Sequence, residues 1–199
     1  DTVAPGASLT LAGADTPPLL VADMPLSGMA EPVKSAERLM DAGAAAVKVE
    51  CHSAGMNALR AVHEANISVM AHVGLMPQDI ERLGGYKLQG KTPVAAHGII
   101  ECARAAEREG AFSCVIEKVP RMLGAEITRA VAIPTIGIGA GPDCDGQILV
   151  LYDILGIFRE FRPKFARRYA ELGKEAVDAI TRYGEDVQEG RFPGAGESY

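Results

Sequence analysis

The sequence lacks the features that mark several specialised classes of protein. Its four cysteines, Cys51, Cys102, Cys114 and Cys144, form no Cys-X-X-Cys pair, which favours reduced thiols over a disulfide scaffold or a zinc site. No apolar run approaches the roughly 18 residues of a membrane span, and no basic segment followed by an apolar one opens the chain. There is also no excess of positive charge, because the formal net charge is −6. We therefore expect a cytoplasmic protein that binds neither membranes nor nucleic acid.

The composition is that of an ordinary globular protein. With 199 residues, of which 48% are hydrophobic and 23% charged, the chain is long enough for one substantial core. We expect a single domain over residues 1–199, with an irregular segment at 1–18 and a helical tail at 163–199. The expected strands are 19–23, 46–50, 67–72, 112–117, 133–138 and 148–153, and the expected helices are 31–41, 57–65, 94–109 and 121–131.

The alternation of strands and helices predicts a parallel sheet with right-handed crossovers. The strands are continuous apolar runs, as expected where both faces of a sheet are buried. A closed (β/α)₈ barrel has eight such strands in about 250 residues, whereas only six are recognisable here. The pattern predicts a TIM-type barrel that lacks its first two β-α units in this chain.

Three charged residues lie at the ends of the first two expected strands. Asp23 ends one strand and Glu50 the next, so their carboxylates would meet at the catalytic rim, where they suit Mg²⁺, which prefers hard oxygen ligands. Lys48 precedes Glu50 by two residues and points the same way along a strand, which suits an anionic substrate. Each residue also has a structural interpretation, since Asp23 could cap a turn and Glu50 and Lys48 could each form an ion pair.

Two further strand ends carry groups that can transfer protons. Glu117 follows the apolar run 112–116, and a carboxylate at a barrel mouth can act as a general base. His72 ends the run 67–71, and by position alone a structural role is the leading interpretation of this histidine. The glycine-rich run 137–141 has no following Lys-Ser or Lys-Thr, so it is not a P-loop, and it indicates a tight turn that brings backbone close to its neighbours.

Seven segments together resemble the ketopantoate hydroxymethyltransferase family in their order and approximate spacing. The most specific combination is His-Val-Gly-Leu-Met-Pro-Gln at 72–78 with Gly-Gly-Tyr-Lys-Leu-Gln-Gly at 84–90. The resemblance extends from about residue 19 to about residue 195. The segments are 21–25, 47–50, 71–78, 84–90, 117–120, 136–141 and 145–150.

The resemblance implies a barrel of the phosphoenolpyruvate/pyruvate-binding superfamily that forms a homo-oligomer, a decamer in this family. It also implies transfer of a hydroxymethyl group from 5,10-methylenetetrahydrofolate to 3-methyl-2-oxobutanoate, with Mg²⁺ as cofactor. By this resemblance Asp23 and Glu50 correspond to metal ligands, with Asp23 also at the substrate. Lys48 corresponds to a substrate-carboxylate contact, His72 to a pocket residue and Glu117 to the base.

One family motif has no counterpart in the sequence. The family carries Gly-Asp-Ser on its second strand, and this tripeptide does not occur here. Because the chain opens with Asp1 rather than Met, we expect residues upstream of Asp1 in the natural protein. Two alternatives remain open: another lyase or mutase acting on 2-oxo acids on the same barrel, and a non-catalytic remnant that serves only in assembly.

Overall fold

The computed structural model describes residues 18–51, 53–77, 80, 84–158 and 160–199. Most of the irregular segment expected at 1–18 lies outside the described residues. The chain divides into two compact units, Asp1–Ile148 and Leu149–Tyr199, which we describe separately. That both belong to one domain stays a prediction.

The first unit is built on a six-stranded sheet in which every neighbouring pair of strands is parallel. The strands follow one another across the sheet in chain order. This sequential order is that of a barrel, because doubly wound sheets reverse their strand order at a switch point. The strands are β1 (Val21–Asp23), β2 (Ala46–Glu50), β3 (Val69–Gly74), β4 (Ser113–Glu117), β5 (Thr135–Ile138) and β6 (Gly146–Gln147).

The prediction of a sixth strand at 148–153 is wrong. The strand is only Gly146–Gln147, and Leu151–Leu155 is helical. The amides of Asp153 and Ile154 donate to the Val150 carbonyl, and the helix ends at Gly156 with a left-handed φ of 64°. A short apolar run does not distinguish a buried strand from a buried helix by periodicity, which explains the error.

Helices connect the strands of the first unit. They are α1 (Pro32–Asp41), α2 (Ser53–Glu64), α3 (Pro93–Arg108) and α4 (Arg121–Ala130), with a 3₁₀ helix at Leu26–Ala30 before α1. The hydroxyl of Thr92 accepts a hydrogen bond from the Ala95 amide at 3.2 Å, and Pro93 occupies the first turn, so α3 begins with a standard cap. The glycines after α1 and α3, Gly43 and Gly110, have φ angles of 102° and 97°, which suits the ends of helices.

The hydrophobic core lies between these helices and one face of the sheet. Strand residues Val47, Val49, Val73 and Ile116 are buried in the same cluster as residues of the helices. The helical members include Ala36, Leu59, Val62, Ala103, Ala106 and Ile127. Because side chains alternate along a strand, the residues between the strand members of this cluster face the opposite side of the sheet.

The second unit contains α5 (Leu151–Leu155), α6 (Leu172–Gln188) and a 3₁₀ helix at Ala195–Glu197. The helical tail expected from residue 163 is helical from Leu172. The guanidinium of Arg168 donates to the Phe158 carbonyl at 2.5 Å and to Glu171 at 3.2 Å, which ties the segment before α6 together. None of the helices in the described part of the chain has the length and apolar character needed to cross a membrane.

Candidate active site

Strand register places five charged or titratable side chains on one face of the sheet. Asp23 is paired with Lys48, Glu50 with His72, and Gly74 with Glu117. Registered partners in parallel strands, and residues two apart on one strand, point to the same face. Asp23, Lys48, Glu50, His72 and Glu117 therefore share the face opposite the hydrophobic core, at the carboxyl ends of β1 to β4. We refer to this face, with these five residues, as the polar face.

Lys48 on β2 and Asp23 at the end of β1 form an ion pair. The Nζ atom of Lys48 donates to Oδ1 of Asp23 at 2.8 Å. The Lys48 side chain is 20% exposed, whereas that of Asp23 is 73% exposed. The pair leaves the Asp23 carboxylate open to solvent and to ligands, while its charge balances a mostly buried ammonium.

Glu117 and His72 meet in the middle of the sheet. Oε2 of Glu117 lies 3.3 Å from Nε2 of His72, whose side chain is fully buried. Among the described residues, neither Nδ1 nor Nε2 of His72 has a hydrogen-bond partner, so the approach of Nε2 to Glu117 is a close contact and not a hydrogen bond. A buried polar group without a partner costs free energy, so packing alone does not explain why a histidine occupies this position.

Glu50 lies on β2 between these two pairs. Its Oε2 atom is inaccessible to solvent, and its register partner is His72. Helix α2 closes against the end of β2, because a Cβ atom on Gly55 would lie 1.8 Å from the Glu50 carbonyl oxygen. A glycine is needed at position 55 for this close approach.

The two acids predicted to hold a metal fit Mg²⁺ in their chemistry. Asp23 and Glu50 offer hard carboxylate oxygens on the same face, and Mg²⁺ takes one or two protein carboxylates while keeping waters and substrate oxygens as its other ligands. No cluster of three or more His, Cys, Asp or Glu side chains that could hold a metal occurs among the described residues. A metal held by Asp23 and Glu50 would therefore take its remaining ligands from water and substrate.

The loop 84–90 joins the rim beside Glu117 through Lys118. The Gln89 amide donates to the Lys118 carbonyl, and the Lys118 amide donates to the Ile138 carbonyl, both at 2.9 Å. Nζ of Lys118 lies 5.2 Å from the centroid of the Tyr86 ring, within range of a cation–π interaction. Sequence reasoning did not identify the contact between Lys118 and Tyr86, although the position of Lys118 directly after the candidate base was a signal.

The glycine-rich run at 137–141 forms a tight turn, as the sequence predicted. Gly139 and Gly141 have φ angles of 65° and 89°. A Cβ atom on Gly141 would lie 2.7 Å from Cγ of Arg121, so a side chain there would collide with the start of α4.

Asp145, in a segment of the family resemblance, has a structural role. Its Oδ2 atom accepts hydrogen bonds from the amide and hydroxyl of Thr135 at 2.8 and 2.9 Å. These hydrogen bonds lower the pKa of the Asp145 carboxyl. The hydroxyls of Thr128 and Thr135 are 2.9 Å apart, so the cluster connects α4, β5 and the segment that leads to β6.

Cys51, which directly follows Glu50, is not a candidate nucleophile. The thiol is buried, and this burial raises its pKa to about 12. A protonated thiol is a poor nucleophile, so the chemistry of this face depends on its carboxylates, lysine and histidine.

Comparison with known proteins identifies close relatives in sequence. The family model described as ketopantoate hydroxymethyltransferase matches residues 6–195. The 3-methyl-2-oxobutanoate hydroxymethyltransferase of Caldicellulosiruptor bescii is 47% identical over 185 residues, covering 91% of this chain and 70% of that protein. The enzyme of the same name from Pelobacter propionicus is 49% identical over 183 residues, covering 88% of this chain and 66% of that protein.

Comparison with solved structures shows the fold. A putative phosphonomutase from Burkholderia cenocepacia has a TM-score of 0.50 and 13% sequence identity, covering 90% of this chain and 72% of that chain. With the sequential parallel strand order, this likeness confirms the predicted barrel of the (β/α)₈ type, of which the described residues contain six strands.

Proposed function

Because the chain belongs to the ketopantoate hydroxymethyltransferase family, we propose that the protein transfers a hydroxymethyl group from 5,10-methylenetetrahydrofolate to 3-methyl-2-oxobutanoate, which gives 2-dehydropantoate. The observation that carries this proposal is the polar face, where an acid–lysine pair and an acid–histidine pair lie on either side of Glu50. We also propose, from the same resemblance, that the protein acts in the cytoplasm as a homo-oligomer, a decamer.

The first task of the site is to bind and orient the 2-oxo acid. The Lys48 ammonium, balanced by Asp23 at 2.8 Å, would attract the substrate carboxylate and hold it at the ends of β1 and β2. Asp23 and Glu50 are the residues that would hold Mg²⁺. The bound cation would supply Lewis-acid stabilisation for the negative charge that develops on the keto oxygen. Since Gly-Asp-Ser does not occur in the sequence, these are the two metal-binding acids that this chain supplies.

The second task is to remove the proton at C3 of the substrate. The Glu117 carboxylate would act as the base, and the buried His72 ring 3.3 Å away would fix its orientation. Deprotonation leaves a nucleophilic carbon at C3. This carbon would attack the one-carbon unit of the folate donor and form the new carbon–carbon bond. Both bonds from the one-carbon unit to the folate nitrogens break in the overall reaction, and water supplies the hydroxyl oxygen. The C3 proton and one proton of that water would restore the two N–H groups of tetrahydrofolate.

Replacing Glu117 by glutamine tests the proposed base directly. Glu117→Gln keeps the shape of the side chain and removes its basicity, so turnover should fall about 10²-fold or more while substrate binding survives. Exchange of the C3 proton for deuterium, measured without folate, isolates the proton-transfer step and should fall with turnover.

The matched control is Glu101→Gln on the exposed face of α3, where the carboxylate contacts Arg104; its exchange rate should equal that of the wild type. If Glu117→Gln exchanged the C3 proton at the wild-type rate, Glu117 would not be the base, and His72 would be the next candidate.

A further inference from the structure

Lys118 adopts a backbone conformation that glycine tolerates better than lysine does. Its φ angle is 50°, in the left-handed region where residues with a Cβ atom are strained. Among the described residues other than glycine, only Asn66 also has a positive φ, and asparagine is the residue that tolerates this conformation best. A lysine retained at a strained position beside a proposed base indicates a task for its side chain.

The surroundings of Lys118 hold its ammonium at the rim of the site. Both of its backbone polar groups are engaged, with the Gln89 amide on one side and the Ile138 carbonyl on the other. The ring of Tyr86 lies 5.2 Å from Nζ, so an aromatic surface supports the cation. The side chain therefore extends from the residue next to Glu117 towards the loop 84–90.

Two more lysines lie in the loop 84–90 or directly after it. Nζ of Lys87 lies 3.5 Å from the position that a Cβ atom on Gly84 would occupy, so this ammonium folds back over the turn that carries Tyr86. Lys91 follows the loop and is exposed. Within the described residues, none of Lys87, Lys91 and Lys118 has an ion-pairing carboxylate within 4.0 Å. Two lysines in or directly after this loop and a third whose ammonium lies over the Tyr86 ring contrast with a chain of net charge −6.

We propose that Lys118, together with Lys87 and Lys91, binds the carboxylates of the glutamate tail of the folate donor. The inference rests on the proposed function, in which two anionic reactants meet at Glu117. In the proposed function Lys48 binds the carboxylate of the 2-oxo acid on the polar face, so it is not available to bind the carboxylates of the folate donor. The donor carries its carboxylates on a tail away from its reacting carbon, and cations on and beside the loop 84–90 would complement that negative charge.

The test compares folate donors that carry one and five glutamates, using the full-length protein. Lys118→Met keeps the length of the side chain and removes its charge. The KM for the five-glutamate donor should rise about tenfold, as expected for loss of a charge-assisted contact. The KM for the one-glutamate donor should rise less, and kcat should stay within about twofold of the wild-type value. Lys118→Arg should restore the KM, and Lys34→Met on α1, where Lys34 contacts Glu31, should leave it unchanged.

Deuterium exchange at C3 in the absence of folate separates this inference from the proposed function. Exchange in Lys118→Met should equal that of the wild type, because no donor takes part. A wild-type ratio of the two KM values in Lys118→Met would overturn the inference and leave the proposed function intact. A parallel fall in exchange and kcat would also overturn it, since Lys118 would then position Glu117. Absence of exchange in the wild type would overturn the proposed function itself.

Discussion

The two faces of the sheet are equally buried at the centre of β3 but differ in chemistry at the carboxyl ends of the strands. On β3, Val73 faces the helices and His72 faces the opposite side, and both are essentially inaccessible to solvent. On β4, Ile116 is fully buried in the core, while Glu117 next to it contacts His72. Burial of an apolar side chain stabilises the fold, whereas burial of an imidazole without hydrogen-bond partners opposes it. The degree of burial therefore does not reveal which face carries function, and the type of side chain does.

The largest expected effect separates stability from chemistry on neighbouring residues of β4. Ile116→Ala should lower the free energy of unfolding by about 2–5 kcal/mol, since it removes a fully buried side chain and leaves a cavity. The rate of C3 exchange per folded molecule should change little. Glu117→Gln should do the reverse, losing exchange with little loss of stability.

Denaturant unfolding and C3 exchange on the same samples check this prediction. If Ile116→Ala abolished exchange in fully folded protein, the two faces would not be independent.

A second, smaller effect concerns the close approach of β3 and β4. Gly74 has a φ of 99°, and a Cβ atom there would lie 2.1 Å from the Glu117 carbonyl oxygen. Gly74→Ala should cost about 1–3 kcal/mol of stability from strain and should also slow C3 exchange, because the strand that carries Glu117 must move.

Gly98→Ala is the control for Gly74→Ala. Gly98 lies within α3, where an added Cβ atom meets nothing within 4 Å, so alanine should stabilise the protein by about 0.5–1 kcal/mol. Thermal unfolding measures both variants. If Gly74→Ala and Gly98→Ala were equally stable, β3 and β4 would accommodate a side chain at position 74 without loss of stability.

The smallest expected effect concerns Asp145. This residue accepts hydrogen bonds from Thr135, a polar residue on the face of the sheet that packs against the helices. Thr135 is registered with Cys114, a member of the core, and Asp145 accepts its amide and hydroxyl hydrogen bonds. Because these bonds lower the pKa of Asp145 in the folded state, their stabilisation is present above the unfolded pKa of about 3.9. It is lost as the pH falls through the folded pKa.

Asp145→Asn should therefore be slightly less stable than the wild type at neutral pH, and the difference should shrink under acidic conditions. The effect is small because the carboxylate is exposed and solvent screens it. Unfolding curves at several pH values between about 2 and 7 measure it. A difference that grew as the pH fell would contradict the assignment.

Local sequence patterns predicted the central elements well and their ends less well. The strand expected at 46–50 is β2, and the helix expected at 94–109 is α3 with bounds one residue earlier. The strand expected at 67–72 is Val69–Gly74, because its end depends on pairing with β4 and on the positive φ of Gly74. Pairing partners lie far along the chain, so the sequence near a strand does not determine its last residue.

Part of the candidate site could be predicted from local sequence, and the rest depends on tertiary contacts. Strand ends placed Asp23, Glu50, His72 and Glu117 at one edge because parallel strands end together. The contact between His72 and Glu117 depends on the register of β3 and β4, in which Gly74 pairs with Glu117. The ion pair between Lys48 and Asp23 depends on side-chain conformation. The approach of Lys118 to Tyr86 joins a strand end to a loop about thirty residues earlier, and no local pattern contains that information.

The residues of the polar face lie on strands that differ in local stability, because the strands follow one another from the edge of the sheet to its centre. Strand β1 is three residues long, partly exposed and at one edge of this sheet, whereas β3 and β4 are nearly fully buried between neighbours. Local opening takes least free energy where few buried contacts hold the backbone. Amide hydrogens of β1 should therefore exchange with solvent long before those of β4. Asp23 thus belongs to a strand that opens more easily than the strands of His72 and Glu117, and a ligand that joins Asp23 to Glu50 would appear first as protection of β1.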